Sequence, residues 1–143
     1  MLLFSLVYSL PQSLIVRLQA VQNRAARLVT RSRKHDHITP ILKQLHWLPI
    51  CRRIKYKILL LTFKALHWLA PSYITEILQP YRPSRSLRSA SKRLLTIPSA
   101  KLKKSFSFAA PTIWNSLPEP IRNHDDISKV KTSIKTFLLK KKI

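Results

Sequence analysis

The 143-residue chain contains no glycine, where ordinary usage of ~7% would give about ten. Glycine allows the backbone to approach a phosphate closely and to turn with positive φ. Its absence therefore excludes Gly-rich phosphate loops, the dinucleotide-binding fingerprint and the nucleophile elbow of hydrolases. The sequence predicts a chain of helices and irregular segments that is poorly equipped for catalysis.

The chain is strongly basic, with 27 Lys and Arg residues against five acids and a formal net charge of +22. Even if every acid pairs with a base, 22 positive charges have no partner within the chain. A compact state then carries self-repulsion that a polyanion would relieve. We therefore expect RNA or DNA, bound through the phosphate backbone, as the partner.

Candidate metal and catalytic residues are few. Asp125 and Asp126 are the adjacent acid pair, but they precede a predicted helix, which indicates N-capping rather than a two-metal site. The zinc-type ligands lack the spacing of a zinc site; they are Cys51, His35, His37, His46 and His67. We expect no catalytic residue, no metal, no cofactor and no small-molecule substrate.

Composition divides the chain into four segments. Residues 1–12 form an apolar N-terminal segment that is shorter than the ~20 residues of a membrane span and lacks the basic start of a signal peptide. Residues 13–79 are predicted as a helical core, 80–104 as a basic arm, and 105–143 as an aromatic segment and C-terminal helix. We expect a nuclear or cytoplasmic protein rather than a secreted one.

Apolar spacing predicts a mainly α fold of four or five helices. The first helix has an apolar stripe, which we expect to be its buried side. The stripe consists of Leu14, Leu18, Val21, Ala25 and Leu28. One flank of the stripe carries an arginine every seven residues, at Arg17, Arg24 and Arg31.

Prolines mark the starts of three further predicted helices, at residues 40–45, 50–69 and 72–79. Thr39 is the predicted N-cap of the first of them. Residues 58–63 are apolar on nearly every side, which predicts that they lie at the centre of the core.

The last fifty residues give a mixed pattern. Residues 94–97 and the alternating residues 105–108 are compatible with one small β-hairpin. Trp47 and Trp114 are expected in the core, with stacking on unpaired bases as the alternative. Asp125 or Asp126 is expected to cap a last helix, whose apolar face consists of Ile127, Val130, Ile134 and Phe137.

Two basic runs are the candidate phosphate-binding sites. The arm has no acid between residues 78 and 118 and supplies Arg82, Arg85, Arg88, Lys92, Arg93, Lys101, Lys103 and Lys104. The helix predicted after Pro49 supplies Arg52, Arg53, Lys55 and Lys57. A solvated arm without a partner and attraction to anionic lipid are the alternatives, and we do not expect a membrane as the main partner.

Six blocks of the sequence occur in a characteristic order. They are LQAVQNRAARLVT (18–30), DHITP (36–40), LHWLP (45–49), KALH (64–67), YRPSRSLRS (81–89) and FSFAAPTIWNSLP (106–118). Together they resemble the C-terminal region of reverse-transcriptase polyproteins from LINE-type non-LTR retrotransposons of the jockey and chicken-repeat kind. The resemblance covers about residues 10–137.

The resemblance implies a region that lies downstream of the polymerase palm and thumb, with the catalytic aspartates far upstream. It also implies a further function class, a helical module that docks on a reverse-transcriptase body. The family pattern has glycine where this chain has Arg31 and Trp68, and it has glycine near residues 103–105. These departures indicate a truncated relic, in which a turn that needs positive φ would be strained. We expect the replacing Trp68 to be exposed.

We predict that the isolated chain has no polymerase or nuclease activity, because it lacks the aromatic-x-Asp-Asp motif of the palm and an acid cluster for two metals. Primer extension on an RNA template with magnesium or manganese measures this. Incorporation above background that disappears in Asp125→Ala/Asp126→Ala would contradict the prediction.

Overall fold

The computed structural model describes residues 10–83, 85, 92–99 and 105–140. Within them the fold is mainly α, as predicted, and five of its helices have seven residues or more. In chain order the helices are α1 (Gln12–Thr30), α2 (Ile38–Gln44), α3 (Ile50–Leu66), α4 (Ser72–Ile77), α5 (Phe106–Asn115), α6 (Glu119–Arg122) and α7 (Ile127–Lys140). No helix among these residues is long and apolar enough to cross a membrane.

The second half of α3 lies at the centre of the main core, as its apolar residues predict. Ile58, Leu59 and Phe63 are almost fully buried, and α3 packs against α1, α4, α5 and α7. The helix begins after Pro49 as predicted but ends at Leu66, three residues before the predicted end. The main core is therefore organised around one helix that every larger element except α2 contacts.

Helix α5 replaces the predicted second strand of the hairpin, so the prediction for residues 105–108 was wrong. Apolar residues recur every three or four positions from residue 106 to 117, which is the spacing of a helix face. They are Phe106, Ala109, Ala110, Ile113, Trp114 and Leu117, and all but the half-buried Phe106 are buried. The helical spacing extends over residues 106–117, whereas the strand-like Ser-Phe alternation covers only four residues. Trp114 is 1% exposed, which confirms its predicted place in the core.

Residues 94–96 pair with residues 79–81 instead. An isolated antiparallel bridge joins Pro80 and Leu95, with backbone hydrogen bonds from Tyr81 N to Leu94 O (2.9 Å) and from Thr96 N to Gln79 O (2.8 Å). The side chain of Asn115 accepts from Leu95 N (2.9 Å) and donates to Leu95 O (2.8 Å). We call residues 79–81 and 94–96 the stem, because they bring the two ends of residues 82–93 together against α5.

Helix α7 follows its predicted pattern. Asp126 Oδ1 accepts a hydrogen bond from Ser128 N (2.8 Å) at the helix start, so Asp126, rather than Asp125, is the capping residue. Val130 and Ile134 are buried, and Ile127 and Phe137 are partly buried against the main core. Leu138, outside the predicted set, is also buried.

Helix α1 forms where it was predicted, but its apolar stripe is not the buried side. The stripe residues Leu14, Leu18, Val21 and Leu28 are 39–81% exposed. The helix packs through its polar side instead, where Gln22 Nε2 donates to Leu48 O (2.9 Å) and Gln19 Oε1 accepts from Ile50 N (2.8 Å). Since these bonds satisfy the amides, the polar side can be buried at little cost.

Helices α1 and α2 share a second, small cluster. Ala26, Ile41 and Leu42 are its buried residues, and the half-buried Trp47 packs on them. The predicted N-cap of α2 was wrong: His37 holds that position without a side-chain cap, and Thr39 lies in the first turn. The helix starts earlier because Ile38 contributes to this cluster.

Helices α1, α2 and α3 all end in a left-handed turn made without glycine. Arg31 (φ 53°), His46 (φ 53°) and Trp68 (φ 58°) occupy the turns. After each, a backbone N–H bonds back to the last turn, as from Ser32 N to Arg27 O (3.0 Å), Trp47 N to Leu42 O (2.8 Å) and Leu69 N to Lys64 O (2.7 Å). This is the Schellman arrangement, in which glycine is preferred because a Cβ is strained.

We predict that Trp114→Ala destabilises the fold by ~3–5 kcal/mol, because it leaves a large cavity and removes the hydrogen bond from Trp114 Nε1 to Arg93 O (2.9 Å). Urea unfolding measures the change. Trp68→Ala is the control and should change stability by less than about 0.5 kcal/mol, since Trp68 is 82% exposed. In Trp47→Phe/Trp68→Phe, a fully water-exposed emission maximum for Trp114 would contradict its burial.

We predict that Arg31→Gly and Trp68→Gly each stabilise the chain by about 1 kcal/mol. Glycine relieves the strain of the left-handed conformation, and the greater conformational entropy of the unfolded chain offsets part of that gain. Thermal unfolding followed by circular dichroism measures both. The control is Arg24→Gly in the interior of α1, where helical φ makes glycine destabilising by about 1 kcal/mol. If both turn variants are less stable than the original chain, Arg31 and Trp68 are not strained in their turns.

Candidate nucleic-acid interface

The stem turns part of the predicted basic arm into a loop that is anchored at both ends. Arg82 and Arg85 are exposed on it, and Lys92 is half-buried. Arg88, Lys101, Lys103 and Lys104 lie outside the described residues. Because the stem fixes residues 81 and 94 beside one another, the adjacent cations Arg82 and Arg93 are held near one end of the fold.

Arg93 has a structural partner. Its Nη1 lies 2.8 Å from Asp125 Oδ1, its carbonyl accepts from the buried Trp114 indole, and its φ is 46°. Asp125, predicted only as a capping candidate, is therefore an ion-pair residue. Of the loop cations that the structure describes, Arg93 is thus the one with an ion-pair partner in the fold.

The Arg93–Asp125 pair is exposed. The hydrogen bond and positive charge of Arg93 hold the pKa of Asp125 below its ordinary value. A lowered folded pKa means that the pair stabilises the fold above the unfolded pKa of the carboxyl, and that this stabilisation is lost as the pH falls through the folded value. Since the side chains are 48% and 75% exposed, solvent screens the interaction and its contribution is small.

Arg122 is a second arginine that serves the fold. It is 5% exposed, and its Nη1 donates to Asn115 O (3.0 Å) and Leu117 O (2.7 Å) at the end of α5. A cation at this position also interacts favourably with the negative end of the helix dipole. Arg122 is therefore buried away from any phosphate.

The first half of α3 carries the other predicted cations. Arg53, Lys55 and Lys57 are exposed, whereas Arg52 is half-buried and its Nη1 donates to Leu139 O (3.5 Å) at the end of α7. Arg53 and Lys57 are four residues apart and share one face of the helix, where like charges repel. Lys55, two residues from each of them, lies on a different side of the helix. We call these three exposed cations, Arg53, Lys55 and Lys57, the α3 patch.

The end of α3 nearest to Arg53 is itself electropositive. The N-terminus of a helix has a partial positive charge from its unpaired N–H groups. The first turn of α3 contains no acid and its N-cap, Pro49, supplies no side-chain bond; the N–H of Ile50 is satisfied by Gln19. Arg53 lies in this first turn, and Lys57 adds a like charge on the same face, so the two cations are electrostatically unfavourable without an anionic partner.

An apolar cleft of about 640 Å³ borders the α3 patch. Its walls come from α1, α2, α3, α5 and α7, and its basic lining residues are Lys43, Arg52 and Lys55. Lys43 was not predicted, because only the packing of α2 on α1 brings it to this cleft. The cleft joins cations from two helices into one basic rim.

The loop and the α3 patch lie toward opposite ends of α3. Arg93 lines a second cleft, of about 500 Å³, together with His67 and Trp68 at the C-terminal end of α3. Residues 53 and 67 are 14 positions apart, which corresponds to ~20 Å along a helix that rises ~1.5 Å per residue. The fold therefore presents two separate basic sites.

The structure also shows the surroundings of the three tryptophans and of His67. Trp114 is buried and Trp47 is half-buried, whereas Trp68 is exposed as expected. His67 packs against Phe63 with ring centroids 4.2 Å apart. Among the residues that the structure describes, no three His, Cys, Asp or Glu side chains are grouped as metal ligands.

Comparisons with known proteins leave the family open. The chain has no significant match among protein-family models, curated proteins or solved structures. The two basic sites and the fold that holds them are therefore the basis for a proposal about function.

Proposed function

We propose that this chain is a non-catalytic, nucleic-acid-binding fragment that holds RNA or DNA through the phosphate backbone. The proposal also relates it to the C-terminal region of non-LTR reverse-transcriptase polyproteins. The α3 patch and the anchored loop are the two contact sites. Phosphate contacts of this kind position a nucleic acid without reading its sequence.

The α3 patch is the observation that carries the proposal. Arg53, Lys55 and Lys57 are exposed on the N-terminal half of a helix that contains no acid. The repulsion between Arg53 and Lys57 destabilises the free protein, and bound phosphates would remove it. A solvated surface would gain nothing from this placement.

The distance between the two sites favours an extended polyanion over a small anion. A separation of ~20 Å corresponds to about six base pairs at 3.4 Å per step. One duplex or single strand could therefore contact the α3 patch and the exposed loop residues Arg82 and Arg85 together. The +22 net charge of the chain supplies the long-range attraction.

The local backbone supports the proposed family relation. The family pattern has glycine where this chain has Arg31 and Trp68, and both residues have positive φ, the conformation that glycine adopts without strain. Glycine in the family pattern at these two turns would adopt the same left-handed backbone at no steric cost.

We predict that Arg53→Gln/Lys55→Gln/Lys57→Gln lowers the salt dependence of nucleic-acid binding. The log–log slope on duplex DNA should fall by about 2–3 units, at ~0.9 for each phosphate that is no longer neutralised. Arg82→Gln/Arg85→Gln should lower the slope by about 1–2 units for the same reason. Fluorescence anisotropy with one DNA and one RNA oligomer, between about 0.05 and 0.2 M salt, measures both slopes.

The matched control is Arg33→Gln/Lys129→Gln/Lys131→Gln, which removes three exposed charges outside both sites. Its slope should change by less than about one unit. An equal decrease in the control would mean diffuse attraction and would contradict the assigned sites. Binding to anionic vesicles without binding to either oligomer would instead favour the membrane alternative.

A further inference from the structure

Helix α1 presents a coiled-coil seam to solvent. Its apolar residues are separated by alternating intervals of four and three, which is the spacing of a and d positions in a heptad. The seam residues are Leu14, Leu18, Val21, Ala25 and Leu28. Leu28 is 81% and Val21 64% exposed, so the described part of the chain leaves this seam uncovered.

The fold keeps α1 helical but does not bury its seam residues. Gln19, Gln22 and Ala26, at the b and e positions beside the seam, attach α1 to the turn before α3 and to α2. A partner would therefore meet a helix that is already ordered, which removes most of the ordering cost of binding. This compensates for a seam of only about two heptads.

The charges beside the seam determine which partner fits. Arg17 and Arg24 occupy the g positions, on the side of the seam that faces away from the protein, and Arg31 follows at the same spacing. All three are exposed. Flanking charges of opposite sign on a facing helix set partner choice in coiled coils.

A second copy of α1 would be a poor partner. In an antiparallel pair the g positions face one another, so arginine would oppose arginine. In a parallel pair g faces e, and the e positions of α1 are Ile15, Gln22 and Val29, with no carboxylate. Helix α1 contains no acid at all, so neither orientation offers charge pairing.

We propose that the exposed seam of α1 docks an amphipathic helix of another protein, whose own a and d positions are apolar and whose flanking positions are acidic. The docked helix lies along α1, buries the five seam residues, and pairs its carboxylates with Arg17 and Arg24. This surface is separate from both phosphate-binding sites, and the inference does not depend on the proposed function.

The test uses a labelled synthetic peptide of about three heptads, with Leu at a and d and Glu at e and g. Fluorescence anisotropy with the full chain, at ~0.15 M salt to shorten the Debye length to about 8 Å, measures its affinity. Leu18→Ser/Val21→Ser should weaken binding at least about tenfold, since two apolar side chains no longer pack on the peptide. Arg17→Glu/Arg24→Glu should invert the preference toward a peptide with Lys at e and g.

Two controls separate the seam from general attraction to a cationic chain. A peptide that keeps Glu at e and g but has Ser at a and d should bind at least about tenfold more weakly. Leu69→Ser/Ile77→Ser, which alters exposed apolar residues outside α1, should change the affinity less than about twofold. Far-UV circular dichroism confirms that each variant keeps its helices.

Four outcomes would overturn the proposal. The first is that the peptide with Ser at a and d binds as tightly as the peptide with Leu there. The second is that the Leu18→Ser/Val21→Ser variant keeps full affinity for the Leu peptide. Sedimentation shows self-association that this variant abolishes, which assigns the seam to a second copy. Vesicles of phosphatidylcholine and phosphatidylserine bind through the seam while the Leu–Glu peptide does not, which assigns it to a membrane surface.

Discussion

The packing of the second half of α3 against α5 and α7 is the interaction on which the rest of the structure depends. Phe63, Ile58 and Leu59 are almost fully buried there beside Trp114 and Ile134. Trp114 also holds the loop, through the carbonyl of Arg93, and Asn115 holds the stem one residue later. Helix α3 thus buries its apolar second half in the core and presents its basic first half at the surface.

A chain without glycine still needs left-handed residues to end its helices. Here Arg31, His46 and Trp68 adopt that conformation, at a cost of ~1–2 kcal/mol each for a residue with a Cβ. Arg31 and Trp68 keep their large side chains exposed, so packing does not add to the strain. Tertiary contacts before and after each turn compensate for this local cost.

The helices that depend on local signals were predictable. Prolines and apolar periodicity predicted α3, α4 and α7, because a helix start and a buried face are properties of one segment. Helix α5 was not predicted because the Ser-Phe alternation of residues 105–108 is typical of a strand. The helical spacing of apolar residues becomes visible only over residues 106–117. The stem was not predictable, since its pairing depends on Asn115, twenty residues beyond Leu95.

The candidate sites show the same division. The two basic runs were visible in the sequence, but the ion pair of Arg93 with Asp125 and the place of Lys43 beside α3 arise only from packing. The apolar stripe of α1 was also visible, yet periodicity shows that a face is apolar and does not show what covers it. The hydrogen bonds of Gln19 and Gln22, to residues 31 and 26 positions away, decide that orientation.

The attachment of α1 through side-chain amides has a consequence for how the molecule opens. Helices α1 and α2 share a cluster of three buried residues that is separate from the main core. Their junction with α3 consists largely of hydrogen bonds, which contribute less than apolar burial once water competes for them. This pair of helices should therefore detach as one cooperative unit well below the free energy of global unfolding, and its amides should exchange with solvent deuterium long before those of α3, α5 and α7.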